Sequence, residues 1–219
     1  ITFGAFDVIE FYGIDNKNEY LYFSAAANSP LNKSIFRKKI NNKDKELLSP
    51  INGYNQASFT KGMKCFVLNH STINTPPEYT LCSNKGVKIR VLESNKRLKK
   101  ILSKQKISAF DFFKIKSDSV LLNAWMLKPP QFDSTKQYPV FMTVYGGPGH
   151  NEVLDKWGGL KYMFFQLLAQ KGYIVVSVDP RGTMFRGEKF KKSTYLQLGK
   201  LETQDIINTA KELAHFSYI

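Results

Sequence analysis

Three groups of residues in this sequence have types and spacings that could do chemistry. The first is Tyr145-Gly-Gly-Pro-Gly149, which follows the apolar run at 139–144. Glycines directly after a strand let the backbone turn sharply or come close to a ligand. A tyrosine hydroxyl at such a point is either a donor to a reacting group or an ordinary strand-end aromatic, and spacing alone leaves both open. The second group is Asp179-Pro-Arg-Gly182, at the end of another apolar run. The third is Glu202 and Asp205, which open a helical pattern, where carboxylates suit the positive end of the helix dipole. A hydrolytic nucleophile would announce itself as G-x-S-x-G, and no such motif is present. The three histidines, His70, His150 and His215, read as surface or satisfied structural residues. His70 lies in the first half, His150 caps the glycine loop and His215 ends a helix. No cofactor and no metal ion is expected.

The elements that position these groups are legible. Residues 139–145 and 173–179 are short apolar runs bounded by turn residues, which read as buried strands. Between them Leu160, Met163, Phe164, Leu167 and Leu168 fall at i, i+3, i+4, i+7 and i+8, predicting a helix with that face inward. Gly172 supplies its stop. Strand, helix, strand is the grammar of a parallel α/β sheet, whose ligands bind beyond the carboxyl ends of the strands. Tyr145-Gly-Gly-Pro and Asp179-Pro-Arg-Gly both lie there. A shorter helix is predicted over 187–195, and another over 201–214 with Ile206, Ile207, Ala210, Leu213 and Ala214 as its apolar face. Upstream, 109–117 and 120–127 alternate as strands about a turn, and 128–133 is a Pro-containing loop. The basic stretch 93–106 reads as a short linking helix, so a domain boundary falls near residue 100.

The first hundred residues repeat with a shift of 44, four short strands to each copy. A four-stranded unit of this length is the period of a β-propeller blade, and any antiparallel meander is the plainer reading. Two blades cannot close a propeller, so on the propeller reading the chain is a piece of a larger polypeptide. Cys65 and Cys82 fall on the second and third strands of the second copy, on either side of a hairpin centred near Asn74. They are roughly opposite, which leaves a cross-strand disulfide and two small buried thiols as equal readings.

The formal net charge of +14 invites a nucleic-acid partner. The lysines are scattered, with short clusters at Arg37-Lys-Lys39, at Arg97 with Lys99-Lys100, and at Lys189 with Lys191-Lys192. They read as solvated faces, and no nucleic-acid partner is expected. No apolar run approaches the length of a membrane-crossing helix.

Several motifs together resemble one family. They are Val144-Tyr-Gly-Gly-Pro-Gly149, the stretch 166–179, Arg181-Gly-Thr183, Arg186-Gly187, and Leu198-Gly-Lys-Leu-Glu-Thr-Gln-Asp205. They look like the dipeptidyl peptidase IV branch of the prolyl oligopeptidases, and residues 52–92 look like that family's last propeller blade. The resemblance implies a mixed fold. Residues 1–100 would be C-terminal blades of a β-propeller. Residues 101–219 would be the N-terminal part of an α/β-hydrolase domain, stopping before the nucleophile elbow. It further implies a serine exopeptidase that releases N-terminal dipeptides, often after Pro, by Ser-His-Asp acyl transfer. The triad would lie outside these residues, leaving the chain inactive by itself. By the same resemblance Tyr145 donates its hydroxyl to the oxyanion of the tetrahedral intermediate. Arg181 with Asp179 is expected to brace the loops beneath it. Peptide substrates, a homodimer, and a periplasmic or extracellular setting are implied as well. Thr183-Met-Phe185 departs from the family's glycine-richer loop, so a stiffer or differently shaped segment is expected there. A non-catalytic scaffold that keeps the fold and lacks the triad is the competing expectation.

Overall fold

The computed structural model describes residues 6–219. The chain divides into two compact units. One holds the described residues up to Lys99, together with Leu154–Trp157 and Phe185–Gly187; the other holds Lys100–Val153, Gly158–Met184 and Glu188–Ile219.

In the first unit each sequence copy forms one four-stranded antiparallel meander. The first runs β1 (Val8–Asp15), β2 (Tyr20–Ala25), β3 (Ser34–Lys39) and β4 (Lys45–Leu47); the second runs β5 (Tyr54–Phe59), β6 (Cys65–Thr72), β7 (Thr75–Ser83) and β8 (Lys88–Glu93). Within each meander every strand pairs with the next in sequence, as short turns between antiparallel strands dictate. The two sheets share a core in which Tyr22, Ile35 and Leu48 meet Phe66, Leu68 and Cys82. The Phe59 ring packs at 4.9 Å from Tyr22 and 4.7 Å from Phe66, joining the sheets through aromatic contacts. The segment Leu154–Trp157 is fastened within this unit. Asp155 Oδ1 accepts the Ile73 N–H at 2.8 Å, and the Asp155 N–H donates to the Leu31 carbonyl at 2.8 Å.

Pro76 and Pro77 lie inside β7. One detail differs from expectation. The cysteines are offset by one residue: Cys65 pairs with Ser83, and Phe66 with Cys82. A one-residue offset puts two side chains on opposite faces of a sheet, and both thiols are free. Cys82 is buried in the core, and burial pushes its thiol pKa up. Thiolate is the reactive form, so the native protein is expected to give only Cys65 to a maleimide, and Cys82 after denaturation. Peptide mapping that found equal native labelling of both would overturn this register.

The second unit is built on a mixed sheet. It contains β9 (Phe110–Ser117), β10 (Val120–Leu127), β11 (Val140–Thr143) and β12 (Ile174–Asp179), in the order β11-β12-β10-β9. The hairpin β9–β10 is antiparallel, β10 is antiparallel to β12, and β11 is parallel to β12. The β11–β12 crossover is helix α2 (Leu160–Gln170), the element order expected between two parallel strands. All six residues of β12 are buried, the mark of a strand covered on both faces. Short helix α1 (Lys96–Leu102) precedes the sheet; α3 (Glu188–Lys191) and α4 (Leu201–Leu213) follow it, and α4 packs on β9.

Here the helix-face expectations fail at most positions, although Leu213 is buried as expected. In α2 the inward residues are Tyr162, Phe165, Gln166 and Ala169, while Leu160, Met163, Phe164 and Leu167 are exposed. The α2 sequence is apolar almost all round, so periodicity does not choose a face. What chooses is an aromatic cluster in which Trp125 meets Phe110 at 4.9 Å and Phe165 at 5.3 Å. The buried Gln166 amide is satisfied by the Ser108 backbone, donating at 2.7 Å and accepting at 3.0 Å. In α4 the buried residues are Glu202, Asp205, Thr209 and Leu213, and Ile207 is exposed. The inward face of α4 is mainly polar because it carries a hydrogen-bond network.

Candidate active site

Strands β11 and β12 are parallel with Thr143 level with Ser177. Two residues further on, Tyr145 and Asp179 therefore leave the sheet side by side at its carboxyl edge. The Ser177 hydroxyl donates to the Thr143 carbonyl at 2.8 Å and ties the strand ends together.

Beyond Tyr145 the chain turns through Gly146 (φ 71) and Gly149 (φ 81), left-handed conformations that favour glycine. It is then caught by side chains. The Asp179 carboxylate accepts the Glu152 N–H at 2.8 Å and the Val153 N–H at 3.1 Å. Asn151 exchanges two hydrogen bonds with the Met184 backbone, at 2.8 and 3.0 Å. The Trp125 indole donates to the Glu152 carbonyl at 3.1 Å. The Glu152 carboxylate takes Lys161 Nζ at 2.6 Å and lies 3.2 Å from His150 Nε2. Asp179 therefore fixes the far end of the glycine loop by charge-assisted bonds to backbone, the stronger kind of hydrogen bond.

Arg181 braces the loop after β12 through Asp205 on α4, which accepts the Arg181 N–H at 2.8 Å, Nε at 3.0 Å and Nη2 at 2.7 Å. Asp205 is fully buried and also accepts the Ser117 hydroxyl at 2.6 Å. The other contact of Arg181 Nη2 is Asp118, at 3.1 Å. Hydrogen bonds donated to Asp205 hold the guanidinium still further toward its charged form. Asp205 thus clamps the loop after β12 onto α4, a role the helix-dipole reading missed. Glu202 does fit that reading: it sits in the first turn of α4 and its carboxylate accepts the Gly199 N–H at 3.0 Å. In the departing segment, Phe185 is buried and takes φ 72 without being glycine. That conformation is uncommon for a bulky side chain and carries a small local strain.

The histidines separate. His70 Nδ1 lies 2.9 Å from Asn55 Oδ1, and burial pulls its pKa below the ordinary value. His215 is exposed at the end of α4. His150 packs against the Tyr145 ring, centroid to centroid 4.6 Å. Among the described residues no cluster of three or more His, Cys, Asp or Glu side chains has metal-holding geometry, and no helix is long and apolar enough to cross a membrane.

What this arrangement can do is hold a tyrosine hydroxyl at the carboxyl ends of two parallel strands. The ring is exposed, while the loop behind it is fastened at Asn151, Glu152 and Val153. The signals for that fastening, Asn151, Glu152 and a distant aspartate, have no local pattern in sequence.

Comparison with known proteins bears on family and fold. The model of the prolyl oligopeptidase family matches residues 161–219, and that of the dipeptidyl peptidase IV N-terminal region matches 1–77. A probable dipeptidyl-aminopeptidase B of Arthroderma benhamiae is 33% identical over all of this chain and 24% of its own length. Dipeptidyl peptidase 4 of Trichophyton equinum is 31% identical over 97% of this chain and 28% of its own. The crystal structure of Porphyromonas gingivalis dipeptidyl peptidase 4 superposes with a TM-score of 0.94 at 34% identity, covering 100% of this chain and 31% of that one. The chain thus spans about a quarter of the length of the curated relatives it matches. On its sequence motifs and its fold, it belongs to the dipeptidyl peptidase IV branch of the prolyl oligopeptidase family.

Proposed function

We propose that this chain is part of a serine exopeptidase that removes dipeptides from the N-termini of peptides, often after Pro, by Ser-His-Asp acyl transfer. In this reading residues 1–100 are propeller blades and 101–219 begin an α/β-hydrolase domain. The triad belongs to further chain of the parent protein, so residues 1–219 alone are inactive. The parent works as a homodimer on peptide substrates. Tyr145 stabilises the oxyanion.

The observation that carries the reading is the placement of Tyr145. It leaves a parallel strand at the carboxyl edge of the sheet, on a loop whose far end is bonded to the Asp179 carboxylate. An oxyanion donor on the loop after this strand is what an α/β-hydrolase requires, and a fixed O–H aimed at developing charge acts mainly in the transition state. The outward apolar faces of α2 and α4 fit the same reading. Leu160, Met163, Phe164 and Ile207 are surfaces that the further strands and helices of a complete hydrolase domain would cover.

The test is the intact mass of the natural gene product before and after reaction with a fluorophosphonate. A product of several hundred residues, labelled once at a serine outside these 219, is the expected result. A natural product that takes no label would overturn the enzyme reading and leave a propeller-and-hydrolase-fold binding scaffold in its place.

A further inference from the structure

The glycine loop has a fixed half and a loose half. From Asn151 to Val153 every residue is bonded to another element: Asn151 to Met184, Glu152 to Asp179, Trp125 and Lys161, and Val153 to Asp179. From Gly146 to Gly149 the chain contains three glycines and one proline, with left-handed conformations at Gly146 and Gly149. Such a sequence supplies no side chain long enough to restrain the ring of Tyr145. Two groups do restrain it. A Cβ on Gly147 would stand only 3.1 Å from Tyr145 Cε1, so the Gly147 backbone lies against the ring. The imidazole of His150 lies 4.6 Å away, tilted by 53°, within the range of favourable aromatic pairs. His150 is in turn joined to the fixed half through Glu152, whose other oxygen is held by Lys161.

We propose that His150 is a positioning residue for Tyr145. The relay Lys161–Glu152–His150 holds the imidazole against the phenol ring, so that the hydroxyl meets the oxyanion without first being ordered. Pre-ordering of this kind matters because donors already in place cost no reorganisation when charge develops. The proposal rests on the reading of Tyr145 as the oxyanion donor. His150 itself touches neither substrate nor the reacting atoms.

The experiment uses the full-length parent protein with a glycyl-prolyl anilide as substrate. His150→Ala is expected to lower kcat by about 10- to 100-fold, the scale on which misplacement of a group near the chemistry is felt, with KM little changed. His150→Phe, which keeps a ring on Tyr145, recovers part of the loss. His150→Gln, which keeps the link to Glu152 without the ring, does not. In a Tyr145→Phe background His150→Ala produces no further loss, because there is no hydroxyl left to position. A merely structural histidine would instead lower activity by the same factor in both backgrounds, and that result would overturn the proposal. So would wild-type kcat in both His150→Ala and His150→Gln while Tyr145→Phe is impaired. Undiminished kcat in Tyr145→Phe itself would sink the oxyanion reading first, and the two failures are told apart by that single variant.

Discussion

Tyr145→Phe in the full-length parent protein is expected to lower kcat by about 10²- to 10³-fold, equivalent to about 3–4 kcal/mol of transition-state stabilisation. KM and thermal stability should hardly move. The separation of effects follows from the position of the hydroxyl. Tyr145 is 58% exposed, and removing one hydroxyl at an exposed site falls among surface changes worth about ±0.5 kcal/mol in stability. The phenyl ring that remains keeps its contact with His150 and its place over Gly147. Only the donor is lost, and it matters only when negative charge forms on the substrate oxygen. A donor that also bound the ground-state carbonyl would raise KM on removal. One that acts in the transition state lowers kcat and kcat/KM together. Steady-state kinetics on purified variant and wild type decide this. A Tyr145→Phe enzyme within three-fold of wild type in kcat would remove Tyr145 from the chemistry and return it to an ordinary strand-end aromatic.

What the sequence reveals and what it hides divides along a physical line. Strands β1 to β8, the hairpin β9–β10 and the β11–α2–β12 unit all follow from local signals: apolar runs, turn residues and the spacing of glycines. The carboxyl edge of the sheet, with Tyr145 and Asp179 on it, follows from the same signals because parallel strands share a direction. The inward faces of α2 and α4 do not follow. Periodicity finds apolar positions, but Leu160, Met163, Phe164 and Leu167 face outward, while Gln166, Glu202, Asp205 and Thr209 face inward. Glu202 and Thr209 are satisfied within a turn, by Gly199 and Asp205, whereas Gln166 and Asp205 are buried because distant groups satisfy them. Gln166 meets Ser108, 58 positions away, and Asp205 meets Ser117, 88 away. No local window contains such a pairing. The cysteine register was hidden for a related reason: the strands were legible to within a residue or two, and a one-residue offset changes the face. Only the resemblance to a family points Tyr145 to the role proposed for it. The loop fastenings at Asn151, Glu152 and Asp179 emerged only from the fold.

The most consequential of those hidden pairings is Asp205 with Arg181, and Asp205→Ala is expected to destabilise the second unit by about 3–5 kcal/mol, the cost of removing one partner of a buried ion pair. The Asp205 side chain has no solvent exposure, and that of Arg181 has 15%. Loss of the carboxylate leaves the guanidinium with Asp118 alone, an aspartate whose side chain is 53% exposed. It also strands the Ser117 hydroxyl and the Arg181 N–H, which both donate to Asp205. A buried donor without an acceptor costs about 1–3 kcal/mol, so these losses alone approach the lower figure. Asp205→Asn keeps the size of the side chain and one carbonyl acceptor, and should cost less. The loss is regional, because Asp205 joins β9, the loop after β12 and α4. Hydrogen exchange on the full-length protein is therefore the right measurement. Protection should fall across 110–117 and 201–213 and remain unchanged in β5 to β7. Activity should fall with it, since Arg181 lies two residues beyond Asp179, whose carboxylate holds the Tyr145 loop at Glu152 and Val153. Unchanged protection across β9 and α4 in Asp205→Ala would show that the ion pair is offset by its own desolvation and contributes nothing to holding these elements together.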